Sequence, residues 1–109
     1  MHELALVQSV VDAVAERVGT RRVLRVHVRV GALVAVAPDA MRFCFDVVAR
    51  STPLEGAALE IESIVARAHC RDCQTSFEMI AGLPICDCGS VDVTIVAGQE
   101  LSIQDVEVL

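Results

Sequence analysis

Four cysteines in one short stretch, CRDCQTSFEMIAGLPICDCG, constrain this chain more than anything else in it. Cys70 and Cys73 form a C-x2-C pair, and after twelve intervening residues Cys86 and Cys88 form a C-x-C pair. Two tight turns at that separation bring four thiolates together, the donor set of tetrahedral Zn²⁺ with S ligands at roughly 2.3 Å. The segment has one Phe, one Met and a few aliphatic residues. Below roughly 40 residues such a composition seldom folds on apolar burial, and a metal or disulfides make up the deficit. Thr75 to Ile80 reads as a short strand and Gly82-Leu83-Pro84 as the turn that returns the chain, giving a zinc-ribbon-like lobe.

The second pair is tighter than the usual zinc knuckle, which keeps two residues between its cysteines. Cys70, Cys73, Cys86 and Cys88 are the expected zinc ligands. His69 or Asp87 in place of one sulfur is the nearest variant, since zinc accepts both ligand types. A redox dithiol at Cys70 and Cys73 lacks the βαβ context such motifs occupy. Disulfides or another metal, iron among them, would draw on the same sulfurs.

A chain of 109 residues, 54% of them hydrophobic, suits one compact domain and the small lobe. No apolar run approaches the roughly 20 residues that cross a bilayer, and no signal-type segment opens the sequence. The expected compartment is the cytoplasm, where thiols stay reduced and paired cysteines favour metal. Nine arginines, no lysine and fifteen acids leave a net charge of −6. Within residues 66–90 Arg67 and Arg71 face Asp72, Glu78 and Asp87, and Phe77 is the one aromatic residue available for stacking. A nucleic-acid-binding ribbon would carry a basic footprint.

Leu4, Val7, Val10, Val11, Val14 and Val18 recur at helical steps, and Gly19 supplies the stop. Val23 to Val30 alternates, with Leu24, Val26, Val28 and Val30 on one face and Arg25, His27 and Arg29 on the other, which predicts a half-buried strand with His27 solvated. Pro38-Asp39 opens a second helix reaching about Arg50, with Met41, Cys44, Phe45 and Val48 on its apolar stripe. Ala58 to Ala66, Val91 to Ile95 and Leu101 to Val108 read as further strands. The expected fold is α+β: two helices packed on a small, mainly antiparallel sheet, with the zinc lobe inserted. The main domain is expected over 1–66 and 97–109, and the lobe over 67–96.

Met1-His2-Glu3 places an amine, a deprotonable amide nitrogen and an imidazole within two residues. Nitrogen donors of this kind suit square-planar Ni(II) or Cu(II). Methionine aminopeptidases act poorly before a residue as large as His, so Met1 is expected to remain.

MHELALVQSVVD at the start, FCFDVVA, LEGAALEIE, the paired cysteines and CGS before a final GQELSIQDVEV together resemble the HypA/HybF family of hydrogenase nickel-incorporation proteins. The resemblance spans essentially the whole chain and departs from the family pattern at Cys86-x-Cys88. It implies a metallochaperone that receives Ni(II) and passes it, with the GTPase HypB, to the large subunit of a [NiFe]-hydrogenase; some relatives also serve urease maturation. Family nickel binding carries over onto His2, the Met1 amine and Glu3 as an adjacent contributor. Family zinc binding carries over onto Cys70, Cys73, Cys86 and Cys88. The expected oligomeric state is a monomer or weak homodimer.

Two other classes compete. A zinc-ribbon adaptor or regulatory module without a nickel role would need a basic face, and Arg25 with Arg29 is too little. An enzyme would need a nucleophile with its base, a phosphate-cradling loop or an open metal position, and the sequence offers none of these.

Overall fold

The computed structural model describes residues 2–109. Its elements run α1 (His2–Val18), β1 (Val23–Gly31), α2 (Pro38–Val48), β2 (Ala58–Ile64), β3 (Arg67–Cys70), β4 (Ser76–Glu78), β5 (Val93–Ala97) and β6 (Leu101–Val108). They form two three-stranded sheets, ordered β2-β1-β6 and β4-β3-β5. The fold is α+β.

The chain divides into two compact units. One contains the chain up to Val28, Val36–Glu62 and Ser102–Leu109; the other contains Arg29–Ala35 and Ser63–Leu101.

In the first unit the helical periodicity of α1 buries Val7, Val10, Val11 and Val14, while α2 buries Met41 and Phe45. Val23, Val26 and Val28 of β1 are equally buried. Side-chain rungs give the strand directions. Arg25 meets Glu60 and His27 meets Glu62, so β2 runs parallel to β1; Arg25 meets Glu107 and His27 meets Asp105, so β6 runs antiparallel. Parallel neighbours need a long crossover, and α2 lies within the connection between β1 and β2.

Leu4, Leu24 and Cys44 are among the apolar positions that depart from the periodic reading. Leu4 is exposed although it lies on the α1 stripe, and Leu24 is exposed while its neighbour Val23 is buried, its N–H donating to Pro53 O at 3.0 Å. Val23, Val26, Val28 and Val30 are the buried positions, so the inward-facing parity shifts by one residue between Val23 and Val26. Cys44 is half-buried, at the margin of the stripe that Met41 and Phe45 anchor.

In the second unit β3 is central, antiparallel to both β4 and β5, with Ala68 opposite Phe77 and Ile95. Ala66, Ala68 and Met79 form its core, covered by Leu33, Phe77, Val93 and Ile95. Gly31 and Gly98 meet with almost no room between them. A Cβ on Gly31 would lie 2.1 Å from Gly98 O, and one on Gly98 would lie 2.5 Å from Ala66 Cα. Gly98 also has φ +104°, a conformation side chains rarely adopt. Leu33 N–H donates to Gly98 O at 2.8 Å and Gly31 N–H to Glu100 O at 2.7 Å, pinning this crossing.

Candidate metal centre

The first cysteine pair grows out of the end of β3. Gln74, at φ +63°, turns the chain back so that its N–H donates to Cys70 O at 3.0 Å and Cys70 N–H donates to Thr75 O at 2.9 Å. Cys73 N–H points at Cys70 Sγ, 3.5 Å away. The second pair sits on a turn closed by Gly89 N–H to Cys86 O at 2.8 Å and Cys86 N–H to Ser90 O at 3.0 Å. Gly89 takes φ +89°, so the residue after the C-x-C pair has to accept a left-handed backbone.

These turns gather the four sulfurs. Cys70 Sγ lies 3.7 Å from Cys88 Sγ, and Cys73 Sγ lies 3.6 Å from Cys86 Sγ; all four fall within 4.8 Å of one another. Four ligands placed roughly 2.3 Å from one centre stand about 3.8 Å apart along a tetrahedron's edges. The C-x-C pair therefore supplies both sulfurs at the spacing a metal needs, despite its shorter loop. Cys70 and Cys86 are buried, and Cys73 and Cys88 face solvent.

The electrostatics point the same way. Hydrogen bonds from Thr75 hold the Cys73 thiol down to about 6. The Cys88 backbone N–H favours a Cys86 thiolate, but burial and the neighbouring sulfurs outweigh it and push that thiol up to about 12. Sulfurs this close resist sharing negative charge, and a divalent cation among them removes the conflict. His69 is engaged elsewhere: its ring nitrogens lie 3.0 Å from Ser76 Oγ and 3.1 Å from Gln74 Oε1. Among the described residues the four cysteines are the one cluster of His, Cys, Asp or Glu arranged to hold a metal.

Polar contacts outside the sulfurs, on residues that spacing did not single out, connect the two turns. Ser90 Oγ donates to the Asp72 carboxylate and accepts from Asp92 N–H at 3.0 Å. Arg71 Nη1 donates to Asp92 Oδ1 at 2.8 Å, and Arg71 N–H to Asp92 O at 3.0 Å.

At the other end of the sequence, His2 is exposed on the first turn of α1, two residues earlier than the periodicity placed the helix start. Glu3 is buried to 9% exposure, and its Oε2 accepts from Ala37 N–H at 3.2 Å. Met1, the third expected nickel ligand, lies outside the described residues. His27 is more engaged than a solvated strand residue: Nδ1 lies 3.1 Å from Asp105 Oδ2 and Nε2 lies 3.1 Å from Glu62 Oε1. Those partners come from β2 and β6, and only strand pairing could have revealed them.

With this geometry in place, similarity to known proteins becomes informative. Residues 1–108 match the family described as "Hydrogenase/urease nickel incorporation, metallochaperone, hypA". The chain belongs to the HypA family. A hydrogenase maturation factor HypA from Nostoc sp. is 42% identical over 108 residues, spanning 99% of this chain and 96% of that protein. The HypA of Geotalea daltonii is 42% identical over 110 residues and covers both chains completely. The solution structure of the Ni metallochaperone HypA from Helicobacter pylori superposes with a TM-score of 0.68, covering 100% of this chain and 98% of that one at 24% identity. At that identity the HypA structure speaks for the fold. The HypA family description is that of a metallochaperone and names no catalytic reaction. Among the described residues no helix is long and apolar enough to cross a membrane.

Proposed function

We propose that this protein is a nickel metallochaperone that holds Ni(II) at its N-terminus, keeps a structural zinc in the four-cysteine site, and delivers nickel for [NiFe]-hydrogenase maturation. The observation that carries the reading is the co-occurrence, in a HypA-family chain, of a closed four-sulfur cluster and an exposed His2 on the first turn of α1.

The two donor sets suit opposite tasks. Cys70, Cys73, Cys86 and Cys88 would complete a zinc ion's coordination, and such a closed site stabilises a fold without offering an open position for exchange. Zinc bound there supplies a cross-link between two turns of a lobe with a small apolar core. At the N-terminus the ligands are the Met1 amine, the His2 amide and imidazole, with Glu3 adjacent. The first N–H groups of a helix have no acceptor within the helix, so deprotonating the His2 amide breaks no rung of α1. A cation at the positive end of a helix is disfavoured by the macrodipole, which Glu3 in the same turn offsets. That balance favours a hold weak enough for transfer.

HypB and the hydrogenase large subunit are the proposed partners, urease maturation proteins a further client route, and the cytoplasm the site of action. The test is nickel titration of protein with its native start, released by cleavage of a long histidine-free tag. Native protein should bind nickel while retaining one zinc; the tagged protein and His2→Ala should keep zinc and helical signal and bind nickel weakly. Equal nickel affinity in all three would refute the N-terminal site.

A further inference from the structure

We infer that Asp72 and Ser90 form a clasp, outside the sulfur ligands, that holds the short C-x-C turn against the C-x2-C turn and sets how long the site keeps its zinc. The inference rests on the zinc reading above.

The need arises from the loop itself. With one residue between Cys86 and Cys88, the turn closes on its own backbone through Gly89 N–H to Cys86 O and Cys86 N–H to Ser90 O. Neither bond reaches the first pair. Apart from the sulfurs, something must fix the angle at which Cys86 and Cys88 approach Cys70 and Cys73.

Ser90 is placed to do this. It is half-buried, its carbonyl holds the Cys86 amide, and its hydroxyl donates to Asp72, which lies between Cys70 and Cys73 in the chain. One residue therefore touches the backbone of the second turn and the side chain of the first. The hydroxyl's acceptor capacity is used as well, by Asp92 N–H at 3.0 Å, which orients the O–H toward Asp72. Asp92 is itself anchored to the first turn by Arg71, through the ion pair at 2.8 Å and the backbone bond at 3.0 Å. Hydrogen bonds to an ionised carboxylate are stronger than neutral ones. On an exposed surface such a bond adds little to global stability. Its leverage is geometric, since groups beyond the ligands that orient them typically change metal affinity by roughly 10–100-fold. Asp72 and Ser90 are thus positioning residues for the metal.

The experiment measures zinc release from the full chain to a chromophoric chelator in excess, and the absorption spectrum of the Co(II)-substituted protein. Ser90→Ala and Asp72→Ala should load one zinc but release it about 10-fold faster or more, with shifted Co(II) d–d bands. Ser90→Thr, which keeps the hydroxyl, should restore the wild-type rate and spectrum. If Ser90→Ala does not fold, Asp72→Asn, which keeps an acceptor of the same shape, should fold and show an intermediate release rate. Wild-type release and spectra in both alanine variants, or in Asp72→Asn where it stands in for them, would overturn the clasp and leave the four-sulfur site intact. A wild-type protein that holds no zinc and gives no thiolate-to-cobalt charge transfer would overturn the zinc reading and the clasp with it.

Discussion

The Glu3 carboxylate accepts a hydrogen bond from the Ala37 backbone N–H at 3.2 Å, tying the first turn of α1 to the residue that caps the start of α2. Ala37 has no side chain able to cap its helix, and Glu3 engages its backbone from 34 residues away. The residue next to the proposed nickel histidine is therefore also part of the packing of two helices.

Glu3→Ala should consequently weaken nickel binding through position as well as charge. The expected result is a roughly 10-fold loss of nickel affinity, the lower end of what an orienting group supplies, with zinc content unchanged. Glu3→Gln, which keeps an acceptor for Ala37, should recover most of the positioning. Isothermal titration of both variants checks this, and indistinguishable affinities for alanine and glutamine would leave Glu3 no positioning role.

His27 makes stability depend on pH in a set direction. Both ring nitrogens face carboxylates, and only the imidazolium can donate at both ends. The bond to Asp105 chiefly, then that to Glu62, holds its pKa above the ordinary value of 6.5, against some desolvation. A raised folded-state pKa contributes stability that is fully present below roughly 6.5 and is lost as pH rises through the folded value. Denaturant midpoints should fall across that window for the wild type, and His27→Gln should flatten this part of the profile. An unchanged slope in the variant would remove His27 as its source.

Gly98→Ala should be among the most damaging single substitutions. The added Cβ would meet Ala66 Cα at 2.5 Å in a backbone held at φ +104°. Clash and strain together should cost roughly 2–4 kcal/mol, read as a lower urea midpoint at constant slope. Gly19→Ala, with nothing within 4 Å of the new Cβ, isolates the contribution of positive φ alone.

Removing the metal should unfold one unit and spare the other. Small structural zinc modules draw on the order of 10–16 kcal/mol from their metal, and the apolar core of this unit is three small or flexible residues, Ala66, Ala68 and Met79, with partly buried cover. In Cys70→Ala, or under a strong chelator, amide exchange should rise across Arg67–Cys70 and Ser76–Glu78 while Val7–Val14 and Met41–Phe45 stay protected. Uniform loss of protection would make zinc a determinant of the whole chain. A mild chelator should remove nickel before zinc, because a few ligands at the chain's leading end leave nickel open to exchange while four thiolates close the zinc site.

The elements and the cysteine set were legible because each depends on local spacing. Helical steps placed α1 and α2, alternation placed β1, β2, β5 and β6, and C-x2-C with C-x-C announced four sulfurs; β3, central in the sheet that carries the cysteines, is a strand that spacing did not mark. What tertiary structure alone decided were the relationships between residues far apart in sequence: Glu3 with Ala37, His27 with Asp105 and Glu62, Asp72 with Ser90, Gly31 with Gly98. Each needs a strand order, a register or the angle between two turns, and none of these is encoded in a window of neighbouring residues. Leu24 shows the same limit from the other side. Alternation makes it a core position, yet Val23 is buried in its place and the inward parity is recovered only at Val26. Periodicity reports which residues can be buried, and packing against distant segments selects among them. For the metal centre, spacing supplied the donors, while only the folded turns show a one-residue loop bringing both its sulfurs to 3.6–3.7 Å from their partners.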